Sequence, residues 1–579
     1  MARIFVFALS VMLALCAFAQ RKSNTWNPNL EGGYYRNPVI DADYSDPDVC
    51  RVGEDYYMTS SSFACFPGLP ILHSTDLVNW EIVGHALKGD YPVLEENRGA
   101  ALDWRRKIQH GNYVWAPSIR YHDGWYYIYC GDPDQGLFMT RTRDPRGDWE
   151  EPVWVLKGKG LIDCCPLWDD DGRAYLSHGC AGSRAGVKSV LFVAPLSADG
   201  MRVTGPSRIV YDGHENQPTI EGTKFYKRNG YYYIMSPAGG VKYGWQVELR
   251  SRSPFGPYEE YVGLAQGSVR EVNGPHQGAW VETQNGEDWF VHFQDKHAYG
   301  RVVHLQPARW KDDWLVIGDD RDGDGCGEPV LRWRRPRLPY SGDFQPAEDD
   351  EFDAVELGKQ WQFEGPCSAY WYFCDAKNSR LRLYGVQRPE GFRNLSDLQH
   401  ALLQKFPTER FTVTAKVRFV PNPSYKDKGE EAGMMVKGAD YAAVKFVSTA
   451  EGCVLRYVTC EGAFEGGSER IVAEETVAMA PLAAPYTQKY AVDDVPQPRL
   501  ATGEYYLRLK VESEGVGNGI KAWGWFSYST DGVRFAPLGG RFAVKEGKWI
   551  GAKVGFYCSR PSKCNDAAWL DVDWVRFGE

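Results

Sequence analysis

Gly53-Glu54-Asp55-Tyr56-Tyr57 opens a pattern that returns four more times along the chain. The later copies are Asp123-Gly124-Trp125-Tyr126-Tyr127, Asp171-Gly172-Arg173-Ala174-Tyr175, Asn229-Gly230-Tyr231-Tyr232-Tyr233 and Asn285-Gly286-Glu287-Asp288-Trp289. Each places a glycine turn before a strand rich in aromatic side chains, which is how a β-hairpin is written in sequence. The turn glycines stand roughly 50 to 70 residues apart, the period of a four-stranded propeller blade. Trailing turns repeat as well: Ser74-Thr75-Asp76-Leu77, Thr142-Arg143-Asp144-Pro145, Ser197-Ala198-Asp199-Gly200 and Ser253-Pro254-Phe255-Gly256. Almost no long amphipathic helix competes. The pattern predicts an all-β fold that begins with a five-bladed β-propeller over residues 35–335.

Outward from the repeat, the composition changes. Arg334-Arg335-Pro336-Arg337 and the acidic run Glu348-Asp349-Asp350-Glu351 read as a linker. Beyond it, residues 345–579 hold strand candidates without the repeat, among them Phe411 to Val420, Tyr441 to Val447, Tyr505 to Val511, Ala522 to Tyr528 and Trp569 to Phe577. A jelly-roll β-sandwich is the expected second domain. At the other end, Arg3, the apolar run Ile4 to Leu15 and the site Ala17-Phe18-Ala19 read as a signal peptide over residues 1–19, cleaved after Ala19. The expected location is therefore secreted or periplasmic. A buried N-terminal helix and a lipoprotein anchor at Cys16 fit less well; the bulky Leu15 before Cys16 opposes the anchor.

The chain has 579 residues, enough for two or three domains. Aromatic residues make up 14% of it, with 21 Trp and 34 Tyr, which suits both β structure and the apolar faces of sugar rings. The net charge is −10 with no basic block, which points away from nucleic acid. No stretch after the leader reaches the roughly 18 apolar residues that span a bilayer. The 14 cysteines form no C-x-x-C pair and read mostly as buried thiols, although Cys367/Cys374 or Cys453/Cys460 could pair. Nothing in the pattern sets the oligomeric state.

The repeats also carry chemistry. About seven to ten residues before each turn glycine lie Asp46, Trp115, Asp163, Glu221 and His276. The innermost strand of each propeller blade runs along the central axis, so equivalent positions near the strand starts converge at one mouth. Each residue alone has a plain structural reading: Asp46 in a turn, Asp163 as a turn cap, Glu221 in an exposed loop, Trp115 and His276 in the core. Their shared phase favours a site. Three carboxyls gathered there repel one another and raise at least one pKa, as a general acid requires.

The same residues resemble glycoside hydrolase family 43, the β-xylosidase and α-L-arabinofuranosidase type. The resemblance rests on Asn37-Pro38-Val39-Ile40 leading to Ser45-Asp46-Pro47-Asp48, then Phe66-Pro67-Gly68, Val114-Trp115-Ala116-Pro117-Ser118, Gly160-Leu161-Ile162-Asp163 and Ile220-Glu221-Gly222. It implies Asp46 as general base, Glu221 as general acid and Asp163 as the residue that orients the acid and raises its pKa. It implies further that Phe63 and Trp115 wall the sugar subsite and that Arg301 touches the sugar. His276, in Asn273-Gly274-Pro275-His276-Gln277-Gly278, matches a pocket histidine that helps hold a metal ion or water in several relatives. The C-terminal part resembles the concanavalin A-like sandwich of such enzymes, which can lend a loop to the pocket. The expected activity is exo-acting, inverting release of terminal pentosyl residues from xylo- or arabino-oligosaccharides, with no required cofactor.

This sequence departs from the family's usual Pro-Asp-Pro-Ser at Ser45-Asp46-Pro47-Asp48. It has Cys164-Cys165 after Asp163, and Gly222-Thr223 where Gly-Pro is usual. No catalytic carboxyl is lost, but the choice between xylose and arabinose stays open. A retaining fructosidase-like propeller is an alternative whose usual Asn-Asp-Pro-Asn-Gly signature is absent. A non-catalytic sugar-binding propeller would not need all three carboxyls, and a purely structural module would not put them in phase. Asp320-Arg321-Asp322-Gly323-Asp324-Gly325 imitates an EF-hand start, but position twelve would be Leu331, not a bidentate carboxylate. It reads as a glycine-rich turn closing the propeller rather than as a structural calcium site.

Overall fold

The computed structural model describes residues 23–88, 108–422 save 344 and 347, 429–482 and 499–579, with a short ribbon at 491–492 and 495–496. The expected signal peptide and Cys16 lie outside the described residues. From Asp48 to Ile317 the described residues make five separate four-stranded antiparallel sheets, each built from consecutive strands. They span 48–87, 115–157, 161–212, 224–264 and 276–317. The first strands neighbour one another in chain order, from Asp48–Val52 to Trp115–His122, Leu161–Trp168 and Lys224–Arg228. The fifth sheet's His276–Glu282 packs against Tyr231–Ala238 on one side and Asp48–Val52 on the other, so the contacts close a ring. This is a β-propeller.

The repeated turns take two forms. Asp123-Gly124 and Asn229-Gly230 are two-residue turns with both residues at positive φ, the geometry that matches strand twist. In the first sheet Gly53 alone is left-handed, ahead of Glu54. The third and fifth sheets use five-residue loops, with Gly172 and Gly286 left-handed within them. The aromatic strands after the turns bury Tyr56, Tyr126, Tyr175, Tyr232 and Trp289 between sheets. The N-terminal segment clasps the fifth sheet: Tyr34–Arg36 pairs with Arg332–Arg334, and Asn37 donates to the carbonyls of Leu305 and Val330, both at 2.8 Å.

Residues 349–578 form a β-sandwich of two eight-stranded sheets. Side chains from both sheets share one core, where Phe419 of one stacks on Phe446 of the other at 6.0 Å. The strand Phe411–Val420 alternates its burial as a half-solvated strand should. The sandwich is seated on the propeller. Phe66 and Phe363 exchange backbone hydrogen bonds of 2.9 and 2.6 Å, and propeller residues Ala298 and Tyr299 belong to the sandwich core.

Every cysteine among the described residues is a free thiol, including Cys367, Cys374, Cys453 and Cys460, so neither possible disulfide forms. The segment after the fifth sheet is a turn closed by a bridge between Asp319 and Glu328, with Gly323 and Gly325 at positive φ. Asp320, Asp322 and Asp324 bring carboxylate oxygens within 4.8 Å of one another there, two of the three side chains being exposed. No helix among the described residues is long and apolar enough to cross a membrane.

Candidate active site

The backbone marks the site before any side chain does. In the second, third and fifth sheets the first strand slips register at its start, between Trp115 and Ser118, Ile162 and Cys165, and His276 and Gly278. Each slip holds one left-handed residue: Ala116 at φ 35°, Asp163 at 59° and Gln277 at 54°. Asp46 (54°) and Gly222 (62°) repeat the device just ahead of the first strands of the first and fourth sheets. A bulge of this kind re-aims a side chain out of the ladder. Left-handed backbone costs a non-glycine residue about 1–3 kcal/mol and gathers where function holds it. Among the described residues, seven of the eighteen non-glycine residues with positive φ, namely Asp46, Phe63, Ala116, Asp163, Thr219, Gln277 and Trp549, line one cavity.

That cavity, about 290 Å³, also receives Glu221, Arg301 and Trp115. The three phased carboxyls therefore meet, but in unlike surroundings. Asp46 accepts from Arg301 Nη1 at 3.0 Å and from Ser61 Oγ at 2.5 Å, and Ser61 Oγ in turn accepts the Ala116 N–H at 2.7 Å. Asp163 Oδ2 accepts the Gly222 N–H at 2.8 Å. Among the described residues, the carboxyl of Glu221 has no hydrogen-bonding partner. Gly179 leaves room between these two: a Cβ there would stand 3.8 Å from Glu221 Cβ and 3.9 Å from Asp163 Oδ2.

Burial raises the pKa of Glu221 above the ordinary carboxyl range, and the charges of Asp163 and Asp46 raise it further. Burial also raises Asp163, but the Gly222 N–H, which can only donate, favours the charged form there. The two titrate as a pair, and the proton they retain belongs on Glu221. One side of the cavity thus holds a carboxyl anchored by a guanidinium and a hydroxyl, the other a carboxyl of raised pKa with a free face.

Phe63 and Trp115 stand edge to face, 6.5 Å between ring centres. Trp549 meets Trp115 in the same manner at 6.2 Å. Trp549 comes from the sandwich, so the second domain completes the wall. The resemblance allowed for such a loop but did not identify the residue. His276 departs from the expectation for it. It is buried, and the cavity-lining residue of its segment is Gln277, because the bulge turns that side chain inward. His276 Nδ1 donates to the Gly274 carbonyl at 2.6 Å, which leaves Nε2 as the lone-pair nitrogen, and burial pushes its pKa down to about 3. Among the described residues no two further His, Cys, Asp or Glu side chains stand within ligand distance of it, so the side chains do not by themselves make a metal site.

Two family models fit the chain: Glycosyl hydrolases family 43 over residues 35–315, and Beta xylosidase C-terminal Concanavalin A-like domain over residues 349–578. A putative β-xylosidase of Xylanibacter ruminicola is 35% identical over 93% of this chain and 88% of its own length. The chain belongs to glycoside hydrolase family 43. This family 43 hydrolase is also 32% identical to a non-reducing end α-L-arabinofuranosidase of Bacteroides ovatus, over 72% of this chain and 75% of that one. Its fold matches the crystal structure of a xylan β-1,4-xylosidase from Bacillus halodurans with a TM-score of 0.75 and 25% identity, covering 94% of this chain and all of the other.

Proposed function

We propose that this hydrolase releases terminal xylosyl or arabinofuranosyl residues from oligosaccharides by a single inverting displacement. The observation that carries the mechanism is the unlike setting of the carboxyls. Glu221 donates its proton to the glycosidic oxygen as the bond from that oxygen to the anomeric carbon breaks. Asp46 takes a proton from a water that attacks the opposite face of the same carbon. Asp163 holds the acid in its protonated state and orients it through the Gly222 segment. Arg301 holds the Asp46 carboxyl in place beside the sugar, with Phe63, Trp115 and Trp549 against the ring. Two proton transfers and one displacement need no cofactor.

The substrate class follows from the relatives' activities, and the small walled cavity suits a chain end better than the interior of a polymer. We further infer that the five sheets are the five blades of the propeller, with the domain boundary between residues 335 and 345, and that the protein acts after export. Inversion requires the two reacting carboxyls to stand about 6.5–9.5 Å apart, which leaves room for water. The test is proton NMR of the first product formed. Release of the inverted anomer is expected; the retained anomer would overturn the single displacement. Parallel assays on nitrophenyl β-D-xyloside and nitrophenyl α-L-arabinofuranoside assign the sugar, and no turnover of either would leave a binding protein.

A further inference from the structure

Asp43 does not line the cavity, yet three of the segments that build it meet at this one carboxylate. Oδ1 accepts the backbone N–H of Arg301 at 2.9 Å and the hydroxyl of Ser45 at 3.0 Å. Oδ2 accepts the backbone N–H of Gly551, in the sandwich, at 3.0 Å. Each donor leads to a different part of the site. Arg301 carries the guanidinium that binds Asp46. Ser45 precedes Asp46, and its carbonyl accepts the N–H of Ser61, whose hydroxyl bonds to Asp46. Gly551 ends the loop that presents Trp549, a loop closed internally by the Gly547 N–H on the Ile550 carbonyl at 2.8 Å. The Asp43 main-chain carbonyl also accepts from Lys405 Nζ of the sandwich.

The approach of these segments is close enough to demand glycine. A Cβ on Gly300 would stand 2.4 Å from Asp43 Cγ, and one on Gly551 would stand 2.6 Å from the Gly300 nitrogen. Asp43 is itself 4% exposed. A carboxylate at this point is chemically apt because an ionised carboxyl only accepts, and it has oxygens enough for three donors at once. None of the three bonds belongs to a sheet ladder, so none is needed to complete a strand.

We propose that Asp43 is a positioning residue for the hydrolysis. Its carboxylate fixes the Asp46 segment, Arg301 and the Trp549 loop relative to one another, and so couples the sandwich to turnover in the propeller. The proposal rests on the roles given above to Asp46 and Arg301. It goes beyond them in naming the joint that sets their geometry.

The test uses the full chain carrying Asp43→Asn, Trp549→Ala or both, with the wild type assayed first on nitrophenyl pentosides. Turnover by the wild type separates failure of this proposal from failure of the assignment beneath it. Asp43→Asn keeps the shape but turns an amide NH₂ toward N–H donors. Its kcat/KM should fall about 10- to 100-fold, the scale on which small misplacements of reacting groups cost rate. KM should rise as kcat falls. The double variant should lose less than the product of the two single losses, because part of the Asp43 effect runs through the Trp549 loop. A lower Tm with unchanged kinetics per folded molecule would overturn the proposal, as would a fully multiplicative double loss. Should Asp43→Asn not fold, Ser45→Ala removes one donor alone. It should lower kcat/KM several-fold with the same coupling to Trp549→Ala, and wild-type kinetics in that variant would also overturn the proposal.

Discussion

The two sides of the cavity use the same functional group for opposite ends. Where the first and fifth sheets adjoin, Asp46 meets a guanidinium at 3.0 Å and a hydroxyl at 2.5 Å. Where the third and fourth sheets adjoin, Asp163 and Glu221 meet each other, with one backbone N–H bonded to Asp163 and, among the described residues, no cation bonded to either. A directly bonded cation favours charge, and burial without one favours a retained proton on a pair of carboxyls. In the mechanism proposed above, base and acid are therefore specified by their neighbours rather than by being Asp or Glu. The difference also shows why the site needs the ring: sheets distant in sequence must pair a cation directly with one carboxyl and bury the others unpaired.

The largest effect should come from the anchored side. Asp46→Ala removes the proposed base and should lower kcat/KM by about 10²–10⁴-fold. The loss should be the same for nitrophenyl and unactivated pentosides, since both need water. A loss that varied with leaving-group pKa would put Asp46 on the acid side and break the comparison. Glu221→Ala should show that dependence. Oligosaccharide cleavage should fall by about 10²–10⁴-fold, while a nitrophenyl leaving group, which departs without protonation, should retain much of its rate. Equal losses on the two substrates would remove Glu221 from the acid role. Asp163→Asn should act more gently, through pH. As the proposed acid, Glu221 works protonated, so activity should fall as pH rises through its pKa. Removing the neighbouring charge lowers that pKa, and the alkaline limb of kcat/KM should move to lower pH. An unmoved limb would mean that burial and the Asp46 charge set the proton on Glu221 without Asp163.

The sequence carried the ring of sheets because each repeat announces itself with a turn that only a few residue types can make, as at Asp123-Gly124 and Asn229-Gly230. It carried the three carboxyls because they share the phase of those turns. In the sandwich, the strand expected over Phe411 to Val420 forms over those residues, since alternation alone defines it. What stayed hidden depends on single-residue geometry or on the second domain. His276 holds the expected phase, but a one-residue bulge beside it sends Gln277 into the cavity instead; Gly278 signals a bulge there but not which side chain it turns inward. Trp549 lies in a sandwich loop with no repeat to count from. Its approach to Trp115 exists only once the two domains dock.

Trp549 provides the smallest and most discriminating test of the two-sided cavity. It reaches Trp115 at 6.2 Å and the Arg301 guanidinium at 5.9 Å, but bonds to none of the three carboxyls. An aromatic contact of this kind contributes about 0.5–1.5 kcal/mol beyond the area it buries, so Trp549→Ala should raise KM by roughly twofold to tenfold. Trp549→Phe should recover much of the loss, because the wall needs a ring rather than an indole N–H. Neither variant should move either pH limb of kcat/KM, since the proton on Glu221 depends on Asp163, Asp46 and burial by the propeller. A shifted limb in Trp549→Ala would mean that the sandwich, by excluding water, also supplies part of the burial that keeps Glu221 protonated. The acid would then be a product of domain docking, and the line between a propeller that performs the chemistry and a sandwich that shapes the pocket would have to be redrawn.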